Sequence, residues 1–269
     1  MKNFSYMLAP IEDMTSNAFR TICYKYGADL TFTEMTRIEG LVRNNKSTFS
    51  RILTRDETPT IIQLIGAKEI YFKKFLSSFE PSKGFGGFNL NLGCPYPKVI
   101  DIGHGCAMMK RIAKTKKLVG IFKDYKYKIS IKIRLGLNKI DKENKVYLNL
   151  LNAVDADFFV VHSRYGSQRY NEPADFGVYE ECVETGRNII ANGDITNEEQ
   201  VKELKSAGVK GVMIGRAAIL NPGIFNKLKG INSPSIDILK KEFEDLTIKY
   251  DEPFKYRKNI FRRIGNFNF

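Results

Sequence analysis

The chain has 269 residues, 43% of them hydrophobic, enough for one large α/β domain with a small appendage. No run approaches the ~20 apolar residues of a membrane helix, and the start Met1-Lys2-Asn3-Phe4-Ser5-Tyr6 lacks a signal peptide's apolar run and cleavage site, so a cytoplasmic protein off the membrane is expected. Four cysteines (Cys23, Cys94, Cys106, Cys182) without a CxxC pair and only two histidines argue against zinc or a disulfide scaffold, so no metal is expected, while a net charge of +13 points to a polyanionic partner unless it reflects a generally lysine-rich composition.

Short β-rich runs alternate with amphipathic stretches along the chain. The first four runs are Tyr6-Met7-Leu8-Ala9, Leu30-Thr31-Phe32-Thr33, Thr60-Ile61-Ile62-Gln63-Leu64 and Gly87-Phe88-Asn89-Leu90-Asn91. Helical spacing from Glu69 to Phe79 separates the third from the fourth. A basic stretch follows, with Lys110, Arg111, Lys114, Lys116, Lys117, Lys123, Lys126 and Lys128 against Asp124 alone. Then come Ile129-Ser130-Ile131-Lys132-Ile133, Phe158-Phe159-Val160-Val161, Asn188-Ile189-Ile190-Ala191 and Gly211-Val212-Met213-Ile214. Between the last two, the spacing predicts a helix over Asn197–Ala207, capped by Thr196 and stopped by Gly208.

Eight such strands alternating with helices predict a (β/α)8 barrel over residues 1–229. A doubly wound sheet would announce itself with a GxGxxG turn after the first strand; that position holds Pro10-Ile11-Glu12-Asp13-Met14. Gly230 to Pro234 reads as a linker. Residues 230–269 then form a short, basic, helical extension on the barrel, with helical spacing in Ile236, Leu239, Phe243 and Leu246.

A barrel carries its active site at the C-terminal ends of its strands. Those ends deliver Pro10, Glu34, Gln63, then Asn91 with Gly93 and Cys94, then Lys132 and Arg134, His162 and Arg164, Asn192-Gly193-Asp194, and Gly215-Arg216. Gln63 or His162 alone is an ordinary strand-end polar group. Lys132 within an apolar strand needs a partner or loses its charge, which favours an anionic or electron-rich ligand. Asn192-Gly193-Asp194 and Gly215-Arg216 read as glycine turns that each open a helix, a setting for phosphate after strands seven and eight.

These residues carry a resemblance. Leu8-Ala9-Pro10, Thr33-Glu34-Met35, Gln63-Leu64-Ile65-Gly66, Asn91-Leu92-Gly93-Cys94-Pro95 with Lys98-Val99, and Gly103-His104-Gly105 occur in order. Lys132-Ile133-Arg134, Val161-His162-Ser163-Arg164, Asn192-Gly193-Asp194 and Ile214-Gly215-Arg216 complete the set. From about Met7 to Phe225 the chain resembles the tRNA-dihydrouridine synthases. The resemblance implies FMN as cofactor, held by Gln63, Lys132, His162, Asn192, Gly193, Asp194, Gly215 and Arg216 with Pro10 beneath the ring. It implies NADPH as electron donor and tRNA as substrate, hydride passing from FMN to C6 of uracil and Cys94 protonating C5. A thiol suits that step, because its usual pKa of ~8.5 leaves it protonated at neutral pH. Asn91, Tyr96, Lys98, Arg134 and Arg164 are the candidates for substrate contacts. The family pattern usually ends in a longer helical domain, so the RNA grip and the target uridine stay open. Rival readings are an FMN barrel acting on a free pyrimidine such as dihydroorotate, and an RNA-binding barrel without turnover.

Overall fold

The computed structural model describes residues 4–266; Met1 to Asn3 of the N-terminal run and 267–269 of the basic tail lie outside the described residues. Nine strands make one parallel sheet. They are β1 (Ser5–Leu8), β2 (Thr31–Phe32), β3 (Thr36–Arg37), β4 (Thr60–Ile65), β5 (Phe85–Leu92), β6 (Ile129–Ile133), β7 (Phe159–His162), β8 (Ile189–Asn192) and β9 (Gly211–Ile214). The order β1-β9-β8-β7-β6-β5-β4-β2 runs round the sheet, and a parallel bridge between Met7 and Leu30 joins its two ends. Helices lie between the strands, so the fold is the expected (β/α)8 barrel.

All eight expected runs are strands. β2 is shorter than Leu30–Thr33 and the two-residue β3 was not foreseen; it pairs with Leu64 and Ile65 of β4. Past β2, the Thr33 hydroxyl accepts the Gln63 amide at 3.0 Å, a side chain replacing the missing ladder carbonyl.

Side chains alternate across a strand, and here that sorts the whole barrel. Leu64, Leu90, Ile131, Val161 and Ala191 face the helices and share their core. Met7, Ile61, Val160, Ile190 and Met213 fill the lumen as a separate apolar cluster. One step further along the lumen-facing rows come Gln63, Asn91, Lys132, His162 and Asn192. Register pairs Asn91 with Lys132 and His162 with Asn192, so these polar groups stand at the same end of the barrel.

The helix after β4 spans Glu69–Leu76. Phe79 lies past its end, packed edge-on against Phe88 and Tyr127. The helix after β8 spans Glu198–Ser206, and its cap is Asn197, not Thr196. Asn197 accepts from the Gln200 amide and Gln200 reaches back to the Asn197 amide. This reciprocal pair needs a side-chain oxygen at the third helical position, which Gln200 supplies to Asn197.

Two helices, Ile236–Lys249 and Phe254–Phe261, form the C-terminal extension. They join the barrel's own core through Leu239, Phe243 and Ile260, all unexposed. Phe243 packs edge-on against Phe19 in the first barrel helix, at 6.1 Å between centroids. Polar contacts seal the seam: Tyr26 donates to Glu242, Tyr250 to Asp56, and Glu252 takes the Ala18 amide at the start of that first helix. The extension is a second layer on the barrel, as its length requires.

The basic stretch does not form one face. Its helix, Ile112–Asp124, runs between the end of β5 and the start of β6. That topology puts Lys110, Arg111 and Lys114 at the mouth and Lys123, Lys126 and Lys128 at the base. Two are already neutralised, Lys110 by Asp141 at 2.6 Å and Lys123 by Asp155 at 2.5 Å.

Among the described residues, no helix is long and apolar enough to cross a membrane. One carboxylate cluster, Glu12, Asp13 and Glu34, lies by the mouth. Cationic side chains already occupy it: Arg51 pairs with Glu12 and Glu34, and Lys255 with Asp13.

Candidate active site

A cavity of about 780 Å³ opens at the C-terminal ends of β6 to β9 and β1. Pro10, Lys132, His162, Asn192 and Gly193 line it, together with Asp194, Gly215 and Arg216. Eight of the nine residues expected around a cofactor therefore share one chamber of ligand-binding size. Gln63 is the exception.

The chamber is cationic. Lys132 Nζ donates to Asn192 Oδ1 at 2.8 Å, and Asn192 Nδ2 donates to the Met213 carbonyl, so β6, β8 and β9 are tied across the lumen. Removal from water, and then Arg134, depress the Lys132 amine to about 7. Burial, then Lys132, Arg134, Arg164 and Arg216, push His162 well below the ordinary imidazole range. Asp194 is the acid among these groups. Burial would raise its carboxyl, but hydrogen bonds from Arg164 and the Ala174 amide, with the charges of Arg164 and Arg216, hold it below the usual range. Glu12 also lines the cavity but is paired with Arg51, so positive groups still outnumber carboxylates in a partly dry space and favour an anionic guest.

The glycine turns divide. The helix after β8 starts four residues beyond Asp194, with its own capping box and with Glu198 and Glu199 in its first turn. The expected helix-end phosphate site is absent there, because a side chain and two acids already occupy that helix terminus. Gly193 has another use: at φ +124° its missing Cβ would stand 3.2 Å from His162 Cδ2 and 3.0 Å from Ala174 Cβ. After β9 the helix Arg216–Leu220 follows Gly215 directly and has no side-chain cap. Arg216 at its start pairs with Asp194 at 2.6 Å and faces the same cavity.

The β4–β5 side is neutral and self-satisfied. Asn91 Nδ2 donates to Gln63 Oε1 at 2.9 Å, Gln63 Nε2 to Asn89 Oδ1 at 2.8 Å, and Asn89 Nδ2 to Ser130 Oγ at 2.9 Å. Asn91 Oδ1 takes the amides of Gly93 at 3.0 Å and Cys94 at 2.9 Å. Asn91, expected to meet substrate, thus spends its oxygen holding the Cys94 turn. Cys94 is half-buried, while Cys23, Cys106 and Cys182 are buried. Cys106 donates its amide to the Cys94 carbonyl at 3.0 Å, closing the turn from the other side.

The residues expected to bind substrate scatter. Arg134 is buried and donates to the Tyr165 carbonyl and the Tyr170 hydroxyl. Arg164 is fully buried in the cavity wall, and its donors are spent on Glu172, Tyr170, Asp194 and His162, which leaves none for a substrate phosphate. Tyr96 (54% exposed) precedes the short helix Pro97–Ile100, and exposed Lys98 lies on it; neither lines the cavity.

The lining residue with the most contacts to charged groups was not foreseen. Tyr170 belongs to the loop after β7 and is 58% exposed. Its ring lies 4.8 Å from Arg216, 5.6 Å from Arg134 and 5.7 Å from Arg164, and stacks on His162 at 26°. No periodicity marks a loop residue; the surplus of arginines at neighbouring strand ends was the available signal.

Comparisons with known proteins give the family and the fold. The family model described as "Dihydrouridine synthase (Dus)" matches residues 7–261. A "Probable tRNA-dihydrouridine synthase" of Helicobacter pylori is 31% identical over 269 residues, 94% of this chain and 80% of that protein. A "tRNA-dihydrouridine(47) synthase [NAD(P)(+)]-like" protein of Homo sapiens is 31% identical over 82% of this chain, which spans only 35% of that longer protein. A solved structure described as "Crystal structure of TcOYE with pHBA" has the same fold, with TM-score 0.50 and 12% identity over 87% of this chain and 92% of that one. The chain belongs to the dihydrouridine synthase family.

Proposed function

We propose that this protein is a tRNA-dihydrouridine synthase that reduces the C5–C6 double bond of uridine in tRNA, with FMN as cofactor and NADPH as electron donor, in the cytoplasm. The observation that carries the reading is the cationic cavity at the ends of β6 to β9 with the Cys94 thiol at the neighbouring strand end.

The chamber fits FMN on three counts. Its volume of about 780 Å³ takes a molecule of that size. Lys132, His162, Arg216 and the uncapped amides after Gly215 supply donors for a phosphate and an electron-rich ring. Gly193 lets backbone close against His162 where a Cβ would collide. FMN bound there supplies the hydride for C6 of uracil. Cys94 holds the proton for C5, and Asn91 keeps its turn in place through two amide hydrogen bonds. Lys132, tethered to Asn192, places a positive group where negative charge is to be stabilised. Arg111 and Lys114 at the mouth supply sequence-independent attraction for the RNA backbone. The target uridine must leave the tRNA fold to enter.

The test is to delete the gene and map dihydrouridine across all tRNAs by mass spectrometry. Loss at a defined position, restored by the wild-type gene, supports the reading and names the uridine. An unchanged map overturns it. The purified protein is expected to be yellow; a colourless protein that FMN does not restore removes the cofactor.

A further inference from the structure

His162 closes β7 and stands in the cavity wall, and three neighbours determine how it meets a ligand. Arg164 Nη1 lies 3.3 Å from Nε2. A guanidinium only donates, so Nε2 is the acceptor and the ring proton of a neutral imidazole must sit on Nδ1. Arg164 has no freedom to do otherwise. It is fully buried, and its Nε and Nη2 donate to the Glu172 carbonyl at 3.0 and 2.6 Å. An ion pair with Asp194 holds it from the next strand end. Gly193 covers the Cδ2 position of the same ring edge, where its absent Cβ would come within 3.2 Å. Tyr170 stacks over the ring face at 6.2 Å. The Nδ1 edge is the one left to the cavity.

We propose that Arg164 is a positioning residue that fixes His162 as the neutral tautomer carrying its proton on Nδ1, so that His162 meets the cavity's ligand as a hydrogen-bond donor. Protonating the ring would add a cation beside Lys132 and Arg134 from β6 and its following loop, Arg164 from the β7 loop and Arg216 after β9, against the carboxylate of Asp194 after β8 and that of Glu12 after β1, which Arg51 already pairs. Burial acts in the same direction. With Lys132 and Arg216, the cavity then offers donors to an oxygen-rich anion at three points, and an acceptor tautomer would break that match. That the anion is FMN rests on the proposed function; the tautomer does not.

The chain has two histidines, which makes the assignment directly readable. Protein labelled with ¹⁵N in the imidazole ring is compared with and without flavin in long-range ¹H–¹⁵N spectra from pH 5 to 9, with His104 as internal reference. The expected His162 signature is a protonated Nδ1, a bare Nε2 and no titration across the range. A protonated Nε2, or a His162 that titrates, overturns the proposal even if flavin binds normally. Flavin binding by two variants supplies a second readout. Asn places an amide N–H near the Nδ1 position and Gln near Nε2, so His162→Asn should bind FMN at least about tenfold more tightly than His162→Gln. Equal or inverted affinities count against the proposal. Arg164→Met should shift wild-type His162 toward the Nε2–H form, and Arg164→Lys, which keeps a donor, should restore the Nδ1–H form in part. Failure of every version to bind flavin, with the expected spectrum intact, overturns the flavin reading and leaves the tautomer standing.

Discussion

The two halves of the barrel mouth are polar in different ways. On the β4–β5 side, Asn91, Gln63, Asn89 and Ser130 pass hydrogen bonds from one strand to the next, so that neutral groups satisfy one another inside the protein. On the β6–β9 side, Lys132, Arg134, Arg164 and Arg216 surround His162 with Asp194 as their carboxylate. Both sets stand at the same level of the same lumen. The neutral half holds a backbone turn still and presents one thiol. The charged half carries more cations than its Asp194 carboxylate pairs. Under the proposed function, the neutral half would position the proton donor and the charged half would hold the cofactor.

That division can be broken at either half. The largest effect is expected from Cys94→Ala. Single-turnover reduction of tRNA by the reduced enzyme should slow by about a hundred- to ten-thousand-fold, the range of lost general acid catalysis. Flavin content should not change, since Cys94 lies outside the cofactor cavity. A wild-type rate would remove Cys94 from the chemistry.

Next is Asn91→Ala, which orphans the Gly93 and Cys94 amides. It should cost about 1–3 kcal/mol of stability and lower kcat with bound flavin unaltered. If flavin is lost and kcat per bound flavin is unchanged, the two halves are not separate.

Lys132 gives a smaller effect with a distinctive sign. Its amine is depressed to about 7 from the ordinary lysine value of 10.5. Between those values the unfolded chain binds the extra proton, so this group makes the ligand-free fold more stable as pH rises through the window. An anionic ligand that restores the proton reverses the sense: FMN affinity should fall as pH rises above about 7, by up to about tenfold per unit. Lys132→Met should flatten both profiles, as denaturation midpoints and flavin titrations would show. An affinity that rises with pH in the wild type contradicts the role of Lys132.

The smallest effect concerns the outer surface. Replacing Arg111 and Lys114 by Gln should weaken tRNA binding and reduce the slope of log K against log salt by roughly 0.7 to 0.9 per lost phosphate contact. The same change at Lys126 and Lys128, at the barrel base, should leave both unchanged. Equal losses from the two pairs would mean that the RNA wraps the barrel and does not stop at its mouth.

Much of this was legible before any coordinates. Eight β-rich runs at regular spacing identify the barrel, because strands buried on both faces need continuous apolar runs. Polar residues at strand ends identify the mouth, and Pro10, Lys132, His162, Asn192 and Arg216 were found that way. The failures share one cause. Arg164 reads as a substrate contact at a strand end, yet it turns inward because Asp194, from another strand end, is there to meet it. The Asn192-Gly193-Asp194 turn reads as a helix start, yet Asn197 takes that part. Tyr170 has no periodicity to mark it, since a loop residue becomes a wall only when distant arginines close around it.

The amino-acid sequence by itself determined the period-2 alternation of each strand, and with it the ring of polar side chains at the lumen's end and the placing of Cys94 just past β5. Tertiary structure alone decided which of those groups are satisfied and which wait for a ligand. Hydrogen bonds and ion pairs join residues far apart in the chain, Asn91 to Gln63, Lys132 to Asn192 and Arg164 to Asp194. Local spacing says which side of a strand a residue faces. Only the closed barrel says what it finds there.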